Sequence, residues 1–366
     1  MRSALERLCA GNVPSAEETR ALLACSDADA QRLFARAREV REAVYGKDVY
    51  LRGLIELTNY CKNDCLYCGI RRSNRNARRY RLADEEVLAC AEAGYRLGLR
   101  TVVLQGGEDA YFTDERLCGL VRALKAARPD RAVTLSMGER SAHSYRALFA
   151  AGADRYLLRH ETATEAHYRS LHPPEMSFAA RMECLNALRR AGFQTGCGFM
   201  VGSPGQTAEH LSNDLAFISR FRPEMIGIGP FIPHRDTPFA GCAAGSVEAT
   251  LRLIAILRLL VPDALIPATT ALSALDPRGC ERGLLAGANV VMPNLTPPAQ
   301  REKYDLYAGK ADADDARRID RLCARIEGIG YRVSPVRGDH AGISSTDGEA
   351  KLTRKKGETT CTTPIP

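Results

Sequence analysis

Cys61, Cys65 and Cys68 stand at Cys-x3-Cys-x2-Cys spacing within Thr58-Asn-Tyr-Cys-Lys-Asn-Asp-Cys-Leu-Tyr-Cys-Gly69. No fourth cysteine completes the set locally; the next is Cys90. Three thiolates can hold three irons of a 4Fe–4S cluster and leave the fourth iron open to a small molecule, whereas a closed zinc or electron-transfer site wants four protein ligands. The incomplete set therefore points to chemistry at a vacant iron. Two plainer readings stand beside it: zinc with a distant fourth ligand, or three unliganded thiols in a reducing compartment.

Other residues could serve a ligand held there. Gly106-Gly107 allows close backbone approach, with Glu108 next in line. Arg159 and Glu161 alternate along one strand end and so point to the same side. They suit a carboxylate and a ribose hydroxyl, or simply each other as a buried ion pair. Arg181, at the start of a helix, can meet a ligand carboxylate or lie solvated. Thr269 and Thr270 offer hydroxyls to an anion, though β-branched residues also simply suit strands. His160 and His234 read as structural hydrogen-bonders.

Something must bring these positions together. From Leu51 the chain repeats an apolar run, a Gly-rich or polar loop and an amphipathic helix. The runs are 51–57, 101–105, 132–136, 155–158, 195–201, 224–229, 264–268 and 289–292. Helical patterns between them include 84–97, 114–127, 141–150, 178–191, 207–220, 246–260 and 277–286, several opening on Ser, Thr or Asp and closing on Gly. Alternation of this length predicts an α/β fold of parallel βαβ units, and eight such units close a TIM-type (β/α)8 barrel. The strand ends then deliver the cysteine loop, Gln105-Gly-Gly-Glu108, Thr134-Leu-Ser-Met-Gly-Glu139, Arg159-His-Glu-Thr162, Gly198–Gly205, Gly229–His234, Ala268-Thr-Thr270 and Met292-Pro-Asn294 to one mouth. Residues 1–47 read as an N-terminal helical extension, 48–310 as the barrel, and 311–337 as a C-terminal helix and strand extension. Residues 338–366 have little to bury and read as a disordered tail.

Composition narrows the setting. Thirteen scattered cysteines lack the dense spacing of a secreted disulfide scaffold, which favours a reducing cytoplasm. The N-terminus has no apolar signal core, and the most apolar helix, 251–261, carries Arg252 and Arg258, so neither secretion nor a membrane span is expected. Net charge is +7, with Arg71, Arg72, Arg75, Arg78, Arg79 and Arg81 close together. No interleaved aromatics accompany them for base stacking, so the run reads as a solvated or anion-facing surface rather than a nucleic-acid site.

With these residues assembled, the chain resembles the radical S-adenosylmethionine (SAM) superfamily. The strings Gly152-Ala-Asp-Arg-Tyr-Leu-Leu-Arg-His-Glu-Thr162 and Gly227-Ile-Gly-Pro-Phe-Ile-Pro-His234 make it similar, more closely, to the HydE-like family of FeFe-hydrogenase maturases. The likeness spans about residues 50–310 and includes Val201-Gly-Ser-Pro-Gly-Gln-Thr207 and Ile266-Pro-Ala-Thr-Thr-Ala271. The resemblance implies that Cys61, Cys65 and Cys68 bind one 4Fe–4S cluster whose open iron chelates SAM, and that reductive cleavage yields a 5′-deoxyadenosyl radical. It implies that Gly106, Gly107 and Glu108 face the methionine amino group. Tyr67, Ser136, Glu161 and Arg181 would surround the cofactor, with Tyr304 or Tyr307 closing that side. Thr134, Arg159, Thr269 and Thr270 would line the substrate cavity. The implied partners are an iron- and cysteine-derived small molecule, other hydrogenase maturases, and an electron donor such as ferredoxin or flavodoxin. A radical enzyme of the biotin-synthase or pyrrolysine-biosynthesis type, and a non-catalytic metal carrier, are the competing readings. Some HydE-like proteins carry a second cysteine trio after a Leu-Tyr-x-Gly-Lys string. Here Leu306-Tyr-Ala-Gly-Lys310 is followed by Ala-Asp-Ala-Asp-Asp, and only Cys323 and Cys361 remain downstream. One cluster per chain is therefore expected.

Overall fold

The computed structural model describes residues 2–310 and 318–343. The apolar runs become strands because they are short, apolar and buried on both faces, as parallel strands covered by helices must be. In chain order they are β1 (Asp48–Leu51), β2 (Gly53–Thr58), β3 (Thr101–Gly106), β4 (Ala132–Ser136), β5 (Arg155–Leu157) and β6 (Gln194–Cys197). β7 (Met200–Val201), β8 (Met225–Ile226), β9 (Gly229–Pro230), β10 (Val290–Val291) and β11 (Arg332–Ser334) follow. Six of them form one parallel sheet in the order β2-β3-β4-β5-β6-β8.

The last part of the ring is less regular than eight equal strands would give. Segment 264–268 makes no strand; it is joined on one side by the Met225–Leu265 bridge and on the other by the Pro267–Val290 bridge. Pro267 has no N–H to give a ladder, which is the local reason. Segment 289–294 then returns to β2, where Leu54 N donates to Pro293 O and Leu295 N to Leu54 O, closing the ring. Two long expected runs also split in step. A Cβ at Gly198 would stand 1.9 Å from Gly227 O, so the strand backbones touch there, break, and resume as the paired β7 and β9.

Helices pack outside the ring and start where the sequence offers a capping hydroxyl. Thr113 accepts from Arg116 N, and Ser246 from Ala249 N. Helix Val247–Leu260 is apolar over most of its surface because nearly all of it from Thr250 onward lies buried, with the N-terminal helix Asp27–Tyr45 packed over it. No helix among the described residues is long and apolar enough to cross a membrane. The expected extension is present as helices Arg2–Cys9, Ala16–Leu23 and Asp27–Tyr45. The helix of the expected C-terminal extension runs Ile319–Gly328.

Order continues past residue 338, where composition places the start of a disordered tail. β11 pairs with β1, and residues 337–340 then cross the amino ends of β3, β5 and β6. Thr101 Oγ1 donates to Arg337 O, Arg52 and Arg155 donate to Gly338 O, and His340 N donates to Gln194 Oε1. Two buried arginines, Arg52 and Arg155, supply the reason, since Asp339 and main-chain carbonyls give them acceptors. The rest of the expected tail, 344–366, lies outside the described residues.

This strap carries a pH prediction. Burial works against the Asp339 carboxylate, yet Arg155 and Arg337 outweigh it and hold its pKa below the usual range. The hydrogen bond from His340 draws Asp263 down to about 2. A depressed carboxylate stabilises the fold above its unfolded pKa and loses that contribution as pH falls through the folded value. Asp339→Asn is therefore expected to cost about 1–3 kcal/mol at neutral pH. The gap from the native chain should narrow below about pH 4. Thermal unfolding from pH 7 to pH 3 checks this, and a gap that widens in acid contradicts it.

Candidate active site

Residues 59–80, between β2 and the helix Asp84–Arg96, have no helix or strand of their own. Side chains hold this loop instead. Asp64 accepts from Arg71 Nε at 2.7 Å and from Ser73 N at 3.0 Å. Asn74 Nδ2 donates to Gly69 O at 2.6 Å, and Asn59 Nδ2 to the carbonyls of Arg78 and Lys303. The loop is tied to three other parts of the barrel mouth: Lys62 N donates to Glu108 O, Leu66 N to Leu171 O, and Gly69 N to Leu306 O.

The cysteines project into a cavity of about 330 Å³ at the carboxyl ends of the strands. That is where catalytic groups collect in this fold, and the volume suits a small-molecule ligand. All three sulfurs are free thiols. Burial pushes Cys68 up to about 12 and Cys65 well above the usual thiol range, with the neighbouring cysteines adding to the rise. Such thiols ionise when cationic metal faces them. Among the described residues no three His, Cys, Asp or Glu side chains converge on a point fit for one metal ion. Ligands at separate corners of a four-iron cube need no such single point.

Gly107 explains its own identity. A Cβ there would lie 2.2 Å from Tyr60 O and 2.8 Å from Cys61 Cβ, so only glycine lets the β3 loop press against the cysteine loop. Gly107→Ala is expected to preserve the far-UV circular dichroism while displacing Cys61 and weakening metal retention by roughly tenfold or more. Iron per chain after anaerobic reconstitution reads this out; native iron content would contradict it.

The other expected residues divide clearly. Tyr67, Gly106, Glu108, Ser136, Arg159, Glu161, Arg181, Thr269, Thr270, Tyr304 and Tyr307 all line the same cavity. Thr134 does not: it lies deeper in β4, in register with Val103 and Arg155, buried with an unpartnered hydroxyl. Glu108 accepts from Glu139 N at 2.9 Å and pairs with Lys62 at 3.1 Å. Arg181 is neither solvated nor free. Its guanidinium pairs with Glu139 and donates to Arg159 O at 2.6 Å. Burial opposes its charge, but Tyr168, Glu139 and Tyr67 prevail and raise its pKa. Thr270 shares a hydrogen bond with Tyr307 at 2.8 Å.

Arg159 and Glu161 satisfy the ion-pair reading without exhausting either group. They stand 3.1 Å apart, yet Arg159 Nε and Nη2 and Glu161 Oε2 lack a well-directed hydrogen bond, as does Thr269 Oγ1. Glu161 also holds φ at +65°, a strained value for a residue with a side chain. Unsatisfied buried polar atoms around a cavity are what a polar ligand would complete. The histidines are structural: Nδ1 of His160 accepts from Gly198 N, and Nε2 of His234 meets Asp305 at 3.0 Å.

Three contributors receive no role from the sequence, although Glu139 falls within the string at the β4 end. Glu139 fixes Arg181 from the loop after β4. Glu56 and Lys310 form a buried ion pair at the cavity wall, with Lys310 also 5.5 Å from the Tyr304 ring. Glu56 left a signal, as the single acid inside the run 51–57; the spacing of Glu139 and Lys310 carried none.

A parallel barrel with a three-cysteine loop at its mouth and unfilled polar groups facing it defines a radical SAM enzyme. The chain belongs to that superfamily: residues 55–218 match the model for the Radical SAM superfamily. Over 280 residues it is 46% identical to the [FeFe] hydrogenase maturase subunit HydE of Thermotoga maritima, spanning 76% of this chain and 80% of that one. It is 30% identical to a 3-methylornithine synthase of Methanosarcina acetivorans, over 90% of this chain and 93% of the relative. In structure it is similar to methylornithine synthase PylB, with a TM-score of 0.79 at 28% identity, covering 90% of this chain and 97% of PylB. The maturase HydG shares the fold, with a TM-score of 0.75 at 21% identity over 90% of this chain and 74% of HydG. Enzymes of this superfamily use a 4Fe–4S cluster and SAM, and the thiols and cavity described above fit both groups.

Proposed function

We propose that this chain is a HydE-type maturase, a radical SAM enzyme acting in assembly of the FeFe-hydrogenase active site together with other maturases. The observation carrying this reading is the 46% identity to HydE over most of both chains. Cys61, Cys65 and Cys68 would hold three irons, and the Gly106-Gly107 backbone with Glu108 would meet the amino group of SAM. Ser136, Glu161, Tyr67 and Tyr304 would surround the rest of that cofactor. When bound, the cluster supplies the electron that splits SAM into methionine and a 5′-deoxyadenosyl radical. Arg181 acts through Glu139 and the Arg159 carbonyl, holding the β5 end in position. Arg159, Thr269 and Thr270 would bind an anionic, iron- and cysteine-derived substrate; Thr134 is too deep to join them without rearrangement. Tyr304, Leu306 and Tyr307 wall the cavity and exclude water, which a reactive radical requires.

Anaerobic reconstitution followed by reduction with SAM should release 5′-deoxyadenosine. The loaded protein should restore hydrogenase activity in a maturation mixture lacking HydE, with ferredoxin or flavodoxin as electron donor. No 5′-deoxyadenosine from an intact, reducible cluster would refute the radical assignment. Cleavage without restored hydrogenase, accompanied by 3-methylornithine in expressing cells, would move the chain to the other function among its relatives.

A further inference from the structure

The arginine run 71–81 is not one basic surface. Arg71 is paired with Asp64, Arg72 with Glu175 and Arg81 with Asp109. Arg75 and Arg78 are exposed. Arg79 differs from all of these. Its guanidinium turns into the cysteine loop and donates to four main-chain carbonyls, those of Asn59, Ile70, Arg71 and Asn74. Asn59 lies two residues before Cys61, and Ile70 two residues after Cys68, so one side chain clasps both ends of the cysteine segment. None of its acceptors is a carboxylate, and no ion pair to Arg79 occurs among the described residues.

Two physical consequences follow. First, a loop without regular secondary structure has backbone carbonyls that need donors, and a rigid five-donor fork can serve several at once. Lysine, with a point charge and three donors on a flexible stem, cannot reproduce that clasp. Second, a guanidinium with no carboxylate among its partners keeps its full charge beside the loop. Net charge and hydrogen bonding are among the factors that set the potential of an iron–sulfur cluster. Adding one electron to a thiolate-bound cluster makes it more negative, so a nearby fixed cation favours the reduced form.

We propose that Arg79 is the positioning residue of the cysteine loop: it shapes the loop before metal enters and raises the potential at which the bound cluster accepts its electron. This rests on the cluster reading given above, and the iron content of the native chain, measured alongside, tests that reading separately. Three variants of the full chain separate shape from charge. Arg79→Gln should expose the amides of residues 59–74 to faster hydrogen exchange in the metal-free protein. It should also weaken iron retention by roughly tenfold or more and shift the midpoint of the remaining cluster to more negative potential in a dithionite titration. Arg79→Lys should lose loop protection and iron in the same way but keep the midpoint close to native. Arg78→Gln, removing an equal charge from the adjacent exposed position, should change none of these. Native loop exchange in Arg79→Gln would overturn the proposal, as would a midpoint in Arg79→Gln equal to that of Arg79→Lys. If Arg79→Gln does not fold, the Arg79→Lys exchange pattern decides the clasp: native protection there overturns it.

Discussion

Cys65→Ala is expected to give a folded chain that holds no stable four-iron cluster and releases no 5′-deoxyadenosine. Only two protein ligands would remain, and no other cysteine among the described residues faces the cavity to replace the third. The fold should hardly notice. The metal-free thiol is kept neutral by burial, and its contact with Met176 Sδ at 3.7 Å is a weak one. A stability loss below about 2 kcal/mol is expected from trimming one sulfur at a half-buried site. Iron and sulfide per chain, the electron paramagnetic resonance signal after reduction, and chromatographic detection of 5′-deoxyadenosine give the result. Cys323→Ala is the matched comparison. That cysteine sits half-buried on the helix Ile319–Gly328, away from the cavity, and its loss should leave a full cluster complement. Iron falling in Cys323→Ala would contradict a single cluster per chain, and turnover surviving in Cys65→Ala would contradict the cluster's ligands.

How far the sequence announces this site depends on whether a residue acts through its position on a strand or through a partner far away. Cys61, Cys65 and Cys68 announce themselves because metal ligation demands a residue type at a fixed spacing. Arg159 and Glu161 do face one cavity, but β5 ends at Leu157 and Glu161 turns at φ +65°, so a loop and not strand alternation brings them together. Within β4 alternation does put Thr134 and Ser136 on one face. Alternation does not report depth. Ser136 reaches the mouth while Thr134, one rung lower, stays in the barrel interior. Arg181 shows the opposite limit. Its place near the site is legible, but its partner Glu139 is 42 residues distant in sequence and nothing local marks the pair. The eight βα repeats were legible as well, because period and length alone separate parallel strands from helices. What they could not show is that Pro267 reduces one strand to two bridges. Composition misplaces the start of the tail for a related reason: residues 337–340 are polar, yet buried arginines at positions 52 and 155 order them.

The second large effect belongs to Lys310, whose ammonium pairs with Glu56 at the cavity wall, both side chains almost wholly buried. Glu56 is anchored on β2 by Thr296 at its N–H and by the Tyr80 hydroxyl at its carbonyl, and its side chain is wholly buried, so its carboxylate has no water within reach. Its second oxygen has no hydrogen-bond partner, which leaves Lys310 as the principal compensation for that charge. Lys310→Met keeps the length and apolar stem while removing the charge. It is expected to cost about 3–5 kcal/mol, the price of leaving a buried charge unpaired. Glu56→Gln together with Lys310→Met removes both charges, and replacing a whole buried pair is often close to neutral. The double variant should therefore be more stable than Lys310→Met alone, a non-additivity of the kind contacting residues show. Urea unfolding of the single and double variants measures it, and a double variant less stable than Lys310→Met would sink the argument. The pair also bears on the cavity. Lys310 follows directly on Tyr304, Leu306 and Tyr307, which wall the cavity and meet Gln105, Gly69 and Thr270 respectively. Anchoring residue 310 inside the barrel pins that segment between the cysteine loop and the strand ends. Lys310→Met should accordingly loosen the cavity wall first, seen as faster amide exchange across 303–310 before any global unfolding. If that segment exchanged no faster than in the native chain, the ion pair would stabilise the barrel without holding the site closed.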